Sequence, residues 1–175
     1  MVEFAFVFGF LLMIALGTFE YGMLFRNWLA VSVATREGGR VAASAANYGD
    51  ADCVILEAVT GALQSLKSGS VAEVEIYKSD KNGIYPGSTS SVLNRYRPAV
   101  SGDTALVVCG SSNWVELHNG GSWEPDDRVN TSGSADWIGV RVAFDHVWMT
   151  EFLWWSGVQS FSDDGVFRME PPAPS

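Results

Sequence analysis

Residues 1–46 read MVEFAFVFGFLLMIALGTFEYGMLFRNWLAVSVATREGGRVAASAA and contain no proline. No charged residue occurs between Phe4 and Phe19, and the apolar run extends to Phe25 with Glu20 as its one acid. As a helix, Phe4 to Phe25 would be about 33 Å long, which is enough to cross the hydrocarbon core of a bilayer. Exposing this surface to water would be costly, so we expect it to lie in lipid or against other copies of itself.

We expect the helix that begins here to continue past the apolar run to about residue 46. Apolar residues still recur at helical spacing, and the end of the stretch is crowded with glycine and alanine. Alanine favours helix, and small side chains let helices approach closely. Residues 47–49, Asn-Tyr-Gly, supply a stop signal. The sequence therefore predicts two domains, a membrane-spanning or filament-core helix over residues 1–46 and a head over residues 47–175.

The head should add a second helix and a small antiparallel sheet to the long hydrophobic N-terminal helix, which makes the fold class α+β. Apolar residues recur at helical spacing from Ala51 to about Leu66, and Asp50 is a candidate N-cap. Apolar and alternating patterns predict strands at 71–77, 104–110 and 137–144, a short strand at 115–117, and a last strand or hairpin at 158–169. Among these, residues 104–110 (TALVVCG) are the stretch that we expect to be buried. Residues 92–100 are ambiguous.

Two stretches of the head leave alternatives open. Residues 119–136 are rich in turn-forming residues and exceed the usual loop length, so we expect either a functional surface or poor order. Residues 147–155 (VWMTEFLWW) are densely aromatic. They either close the sheet and form core against the first helix, or present a contact surface for a neighbouring subunit or for the membrane interface, where Trp is favoured.

The head carries the net charge of the chain. Residues 1–46 hold three Glu and three Arg, so the net charge of −9 belongs to the remainder. An acidic head argues against nucleic acid and against anionic lipid surfaces as partners. We therefore expect no nucleic-acid partner.

The two cysteines, Cys53 and Cys109, form no CxxC motif. One interpretation is a disulfide that closes a loop of about 57 residues and stabilises the head by roughly 4 kcal/mol in the chain-entropy model. The other interpretation is a pair of buried free thiols. A disulfide would require an oxidising compartment and hence an extracytoplasmic head. The positive-inside rule taken alone would place the head in the cytoplasm, because the three Arg of residues 1–46 follow the apolar run.

The sequence shows no complete pattern typical of catalysis or metal binding. Asp80-Lys81-Asn82-Gly83 resembles the front of a calcium loop, but Ser91 stands at the twelfth position, where the loop needs an acid. His118 and His146 stand apart, and no GxSxG nucleophile motif accompanies them. Two His and two Cys at these separations do not complete a metal set. We expect no enzyme activity, no catalytic residues, no metal ion and no cofactor.

Three short motifs of the N-terminal stretch match a known family, and the C-terminal strands match it in style. The motifs are Val2-Glu3-Phe4, Glu20-Tyr21-Gly22 and Arg36-Glu37-Gly38-Gly39-Arg40-Val41-Ala42-Ala43. Residues 136–171 match as two strands separated by a bend at 145–150. On these residues the chain resembles the TadE family of pilin-like proteins, from tight-adherence (type IVb) pilus systems.

The resemblance implies a function and a set of partners. It implies a structural subunit of an extracellular type IV, Tad-like pilus filament that assembles with copies of itself through the N-terminal helix. Other pilins are further candidate partners. Before assembly the helix would wait in the inner membrane, and afterwards the protein would lie on the bacterial cell surface. The alternatives are a minor pseudopilin that primes or tips a pilus and a single-span, membrane-anchored binding module.

The expected assembly residues are Glu3 and Phe4 at the head of the helix and Glu20 and Arg26 near the end of its apolar run. A carboxylate inside a helix bundle is costly unless it is paired. The resemblance implies that Glu3 pairs with the free amine of a neighbouring subunit; alternatively, Glu3 lies among lipid headgroups. Glu20 either pairs with Arg26 of another copy, since the two residues face different sides of one helix, or is solvated at the membrane edge.

Overall fold

The architecture seen in a computed structural model of the chain is a long helix, a second helix and a six-stranded antiparallel sheet. The structure describes residues 2–45, 47–64, 66, 70–117, 122–149 and 156–171, without the side chains of residues 2, 3, 5 and 6. Its elements are α1 (Val2–Ala45), α2 (Ala51–Leu63), β1 (Ser70–Ser79), β2 (Leu93–Pro98), β3 (Val107–Cys109), β4 (Ser112–Glu116), β5 (Trp137–Val147), β6 (Val158–Arg168) and a 3₁₀ helix at Pro125–Asp127. The predicted α+β class is confirmed.

The helix α1 is unbroken over 44 residues, which corresponds to a length of about 66 Å. It ends within a residue of the predicted boundary, and the Tyr48 N–H donates to the Ala45 carbonyl at 3.0 Å in the turn that follows. Asp50 precedes α2 as predicted, but its side chain makes no capping hydrogen bond. Asp50 is therefore the N-cap residue by position, as predicted, but it lacks the side-chain hydrogen bond that such a residue usually makes.

The sheet has the strand order β3-β4-β2-β1-β5-β6, and neighbouring strands are antiparallel. β5 pairs along its whole length with β6, from Trp137 opposite Arg168 to Val147 opposite Val158. On its other side β5 pairs with β1. Because side chains alternate between the two faces of a strand, one set packs against the helices and the other forms the outer face of the sheet.

The core forms where the C-terminal half of α1, the helix α2 and the inner face of the sheet meet. Its buried apolar side chains come from all three layers: Val31, Ala34, Ala42, Ile55, Leu56, Val59, Val74, Ile76, Val140, Val142 and Phe144. The layers approach closely because α1 carries two glycines at the contact. A Cβ added to Gly38 would lie 2.6 Å from Val59 Cγ2 and 3.3 Å from Val140 Cγ1. A Cβ added to Gly39 would lie 2.5 Å from the Phe167 ring.

Gly38→Ala should destabilise the head, whereas Gly61→Ala in α2 should stabilise it slightly. Replacing a helical glycine by alanine gains about 0.5–1 kcal/mol where the methyl group has room. A Cβ at Gly61 has nothing within 4 Å, but one at Gly38 overpacks the core against Val59, at a cost of about 1–3 kcal/mol. Chemical denaturation of the full chain in detergent measures both changes. Equal stability of the two variants would show that the contact at Gly38 is not tight.

The edge of the sheet made by β3 and β4 differs from the prediction. The apolar pattern of residues 104–110 predicts a buried strand, but β3 has only three residues and Val108 is 65% exposed. β3 is the edge strand of the sheet, so it is covered less than a central strand of the same composition. β4 begins at Ser112, three residues before the predicted short strand, and the ambiguous residues 92–100 contain β2.

Cys53 and Cys109 form a disulfide bond, which confirms the first of the two interpretations of the cysteines. The bond joins the first turn of α2 to the last residue of β3, across 56 positions of sequence. It therefore fastens α2 to the edge of the sheet, where the strands are short.

The turn-rich stretch before β5 is anchored in the interior by two buried side chains. Trp123 and Arg128 are each 3% exposed. The Arg128 guanidinium lies over the Trp123 ring, 4.9 Å from its centroid. The alternative of poor order is therefore wrong for residues 122–136. Residues 126–127 and 131–134 are exposed, so the alternative of a functional surface stays a prediction, and residues 119–121 lie outside the described residues.

A buried set of polar groups holds this stretch against α2 and β2. We name it the Asp52 cluster: Asp52, Asn94, Tyr96, Trp123 and Arg128. Arg128 Nη2 donates to Asp52 Oδ1 at 2.5 Å and to the Trp123 carbonyl at 3.0 Å. Asn94 Nδ2 and the Tyr96 hydroxyl donate to Asp52 Oδ2 at 2.7 and 2.8 Å. Burial, followed by the nearby Asp52 carboxylate, raises the pKa of Tyr96 well above its usual value.

Candidate functional site

The N-terminal part of α1 presents a large exposed apolar surface. Among the described side chains of α1, the first buried residue is Gly17. Seven large hydrophobic residues before it are 46–72% exposed, and we name them the N-terminal apolar segment: Phe4, Val7, Phe8, Phe10, Leu11, Leu12 and Ile14. A contiguous apolar surface of this kind marks contact with lipid or with another protein.

The length and composition of α1 are sufficient for a membrane span. Within Val7–Ala45, the most apolar window has a mean hydropathy of 1.7, and 11% of that window is buried. A core helix of a soluble domain would be mostly buried, so the low buried fraction separates α1 from that class.

An exposed apolar stripe continues along α1 beside the head. Its members follow one another every four residues and are 47–61% exposed: Tyr21, Phe25, Leu29 and Val33. One turn later the exposed surface becomes charged, and Arg40 Nη2 lies 2.6 Å from Glu37 Oε1. The apolar surface of α1 therefore ends near Val33.

Buried polar groups join α1 to the end of β5. Glu20 is 0% exposed, and its Oε2 accepts a hydrogen bond from the Met149 backbone N–H at 3.3 Å. Asn27 Nδ2 and His146 Nδ1 are 2.8 Å apart, and both residues are buried. We name Glu20, Asn27, His146 and the Met149 N–H the polar junction. It fixes the height of the sheet along α1 and solvates a carboxylate that would be costly to bury alone.

The structure places the predicted assembly residues in different environments. Phe4 is 72% exposed and its ring stacks on that of Phe8, with centroids 5.9 Å apart. Arg26 is exposed, whereas the side chain of Glu3 lies outside the described residues. Glu20 is buried by its own head, so the expectation of a solvated carboxylate is wrong. Pairing of Glu20 with Arg26 of another copy stays a prediction.

A groove of about 630 Å³ lies between α1 and the first residues of β6. Its lining is largely aromatic and aliphatic: Tyr21, Gly22, Leu24, Phe25, Trp28, Gln159 and Phe161. The groove adjoins the apolar stripe of α1, so the apolar surface here includes part of the sheet.

The described part of the aromatic stretch 147–155 packs against α1 where β5 ends and β6 begins. The Trp148 ring meets the Tyr21 ring edge-on at 6.1 Å and the His146 ring at 5.2 Å. This agrees with packing against the first helix. Val147 and Met149 are nevertheless exposed, so the alternative of a contact surface stays a prediction. Residues 150–155 lie outside the described residues.

A network of ion pairs around Glu75 covers the outer face of the sheet. Arg95 Nε and Arg141 Nε lie 3.3 and 3.7 Å from the carboxylate oxygens of Glu75, and the Tyr85 hydroxyl donates to Oε1 at 2.9 Å. Burial raises the pKa of Glu75. Burial and the hydrogen bond to Glu75 raise the pKa of Tyr85 to about 12. Ion pairs and a hydrogen bond to Glu75 therefore link β1, β2 and β5 on this face of the sheet.

The described residues offer little that would bind a metal ion. They include no group of three or more His, Cys, Asp or Glu side chains placed to hold one. His146 belongs to the polar junction, and His118 lies outside the described residues. The absence of enzyme activity stays a prediction from the sequence.

Comparison with known proteins locates a family likeness in α1. Residues 1–40 match a family model described as TadE-like protein. No curated protein and no solved structure matches the chain. The matched residues include the N-terminal apolar segment, the α1 half of the polar junction and the glycine pair at 38–39. The N-terminal helix is therefore TadE-like, which is the family indicated by its motifs.

Proposed function

We propose that the protein is a structural subunit of an extracellular Tad-like pilus filament and that it assembles through α1. The observation that carries the proposal is the N-terminal apolar segment, which is exposed while the same helix is anchored in the head from Gly17 onward. A helix that is apolar all round is stable only when lipid or protein surrounds it. The TadE-like match over residues 1–40 supports a pilus system as the setting.

Two environments suit α1 at two stages. In the inner membrane, Phe4 to Phe25 would span about 33 Å. In a filament, the same side chains would pack against α1 of neighbouring copies. Apolar contacts with lipid are exchanged for apolar contacts with protein, so the transfer need not be steeply uphill.

The head is suited to the extracytoplasmic side. Its Cys53–Cys109 disulfide is stable in an oxidising compartment. Its charge accounts for the net −9 of the chain, which favours solubility outside the cell and disfavours nucleic acid as a partner.

Mass spectrometry of filaments sheared from cells tests the proposed role. A repeating subunit should dominate the sheared fraction, and electron micrographs of purified material should show filaments. Trace amounts in the filaments would instead indicate a minor pseudopilin that primes or tips a pilus. Recovery only from membranes, without filaments, would indicate a single-span binding module.

Glu3→Ala should strongly reduce the filament yield while leaving the head folded. The substitution removes the carboxylate that we expect to pair with the amine of a neighbouring subunit, at a depth where an unpaired partner is costly. Sheared protein per cell is the measurement, and the circular dichroism spectrum of detergent-purified protein monitors folding. Glu37→Ala is the matched control, because Glu37 is on the same helix but is exposed and paired with Arg40. Normal filaments from Glu3→Ala would count against the pairing.

A further inference from the structure

We infer that Val147, Met149 and Val158, at the paired ends of β5 and β6, form a membrane-docking surface, which enters the non-cytoplasmic leaflet while α1 spans the bilayer. The inference rests on the membrane-inserted stage of the proposed function. We name Val147, Met149 and Val158 the hairpin tip. They are 47%, 58% and 58% exposed, and Val147 lies opposite Val158 in the β5–β6 register. The occupant of this surface is the lipid that surrounds α1, because Trp148, between Val147 and Met149, packs its ring edge-on against Tyr21 of the exposed apolar stripe.

The height of the tip follows from its bond to α1. The Met149 N–H donates to Glu20, so the tip lies level with Glu20. The helix rises about 24 Å from Phe4 to Glu20 at 1.5 Å per residue, whereas the hydrocarbon core of a bilayer is about 30 Å thick. If the tip stayed in water, the apolar part of α1 would be too short for the bilayer, at an energetic cost for each ångström of mismatch. Sinking the tip by about 6 Å removes the mismatch.

Charged residues begin on β5 and on α1 at about the height where the lipid headgroups would lie. Two residues above the tip, Ser160 Oγ donates to Asp145 Oδ1 at 2.6 Å; two strand residues correspond to about 7 Å. On α1 the exposed Arg26 lies about 9 Å above Glu20 at 1.5 Å per residue. Among the described residues outside the polar junction, helix and hairpin therefore reach their first charged residues, Arg26 and Asp145, at nearly the same height, although the exposed Gln159 adjoins Val158. On α1, Tyr21 lies between Glu20 and Arg26, and Trp28 lies two residues past Arg26; such rings favour the membrane interface.

The burial of Glu20 fits the same depth. A carboxylate below the headgroups must find its partners inside the protein, and the Met149 N–H supplies one. The head carries the net −9, so docking depends on apolar contact and does not need anionic lipid.

Spin labels in the full chain, reconstituted into phosphatidylcholine vesicles, test the inference. Val158→Cys carries the label at the tip. Ile84→Cys is the matched control, because Ile84 is 61% exposed and follows the end of β1, where Ser79 lies opposite Trp137 at the far end of β5. Collisions with oxygen report lipid, and collisions with a water-soluble nickel chelate report water. We expect the oxygen-to-nickel ratio at residue 158 to exceed that at residue 84 severalfold.

The other outcomes distinguish a failure of the proposed function from a failure of the docking surface alone. Wild-type protein that fails to float with vesicles would overturn the membrane-inserted stage of the proposed function. Protein that floats, with equal ratios at both labels, would overturn the docking surface alone. Protection of residue 158 that disappears on dilution with lipid would show that a second copy covers the tip, and this also overturns the inference.

Discussion

Arg128→Ala should lower the unfolding free energy of the head by about 3–5 kcal/mol, which is a large part of the stability of an ordinary domain. The Arg128 side chain is 0% exposed and its Nη2 lies 2.5 Å from Asp52 Oδ1. Removing it leaves the Asp52 carboxylate buried without its cationic partner, and it also removes the group that packs on the Trp123 ring. Denaturant titration of the full chain in detergent, followed by tryptophan fluorescence and circular dichroism, measures the loss.

Arg40→Ala is the matched control for Arg128→Ala. The Arg40–Glu37 pair has nearly the same separation, 2.6 Å, but its side chains are 69% and 42% exposed. Water and salt screen an exposed pair, so this variant should unfold close to the wild-type midpoint. A similarly small effect of both substitutions would show that burial of the Asp52 cluster does not stabilise the head.

The double variant Arg128→Met with Asp52→Asn separates the ion pair from the packing around it. It removes both charges together, so no unpaired charge is left in the interior. We expect it to be more stable than Arg128→Ala, because losing one partner of a buried pair is worse than losing both. A double variant at least as unstable as Arg128→Ala would place the effect in the lost shape of the arginine side chain.

The sequence predicts those elements of this fold that have a local signal. Residues 2–45 form the expected helix because no proline interrupts them and their small residues favour close packing. β5 and β6 likewise follow patterns of apolar residues that are read within one strand. The sequence also allows the observed disulfide, because two cysteines outside a metal-binding motif form either a disulfide or two free thiols.

The sequence does not predict features that depend on distant partners. The exposure of Val108 follows from the position of β3 at the edge of the sheet, which the composition of the strand does not encode. The inward packing of Trp123 and Arg128 depends on Asp52, which is 76 positions from Arg128. A lone arginine in an otherwise acidic loop was the available signal, because burying it requires a carboxylate partner.

The candidate site shows the same division. The apolar surface of α1 can be predicted from residues 4–33, because it depends on one helix. The burial of Glu20 cannot be predicted from the local sequence, because its hydrogen-bond donor, Met149, is 129 positions away. An acid next to an apolar run indicates that a partner is needed, but it does not indicate whether that partner is the same chain, another copy or the headgroup layer.

Replacing both cysteines, Cys53→Ser with Cys109→Ser, should lower the stability of the head by about 4 kcal/mol. The disulfide closes a loop across 56 positions, and the chain-entropy model gives this value for a loop of about that length. The loss should be largest at the edge, because β3 has three residues and pairs with a five-residue β4. Hydrogen exchange of the amides in these strands should therefore accelerate more than exchange in β1 or β5, and the denaturation midpoint should fall.

Reduction supplies the control for the cysteine variant. Dithiothreitol should shift wild-type protein to the midpoint of the variant and should leave the variant itself unchanged. An unaltered midpoint in the variant under oxidising conditions would exclude a stabilising role for the bond.

The same bond bears on which side of the membrane the head occupies. The three Arg that follow the apolar run in residues 1–46 favour the cytoplasm, whereas a disulfide favours an oxidising compartment. Alkylation of thiols in intact cells before purification resolves the conflict: we expect no label on Cys53 or Cys109, and complete labelling would place the head in a reducing compartment and overturn the filament proposal.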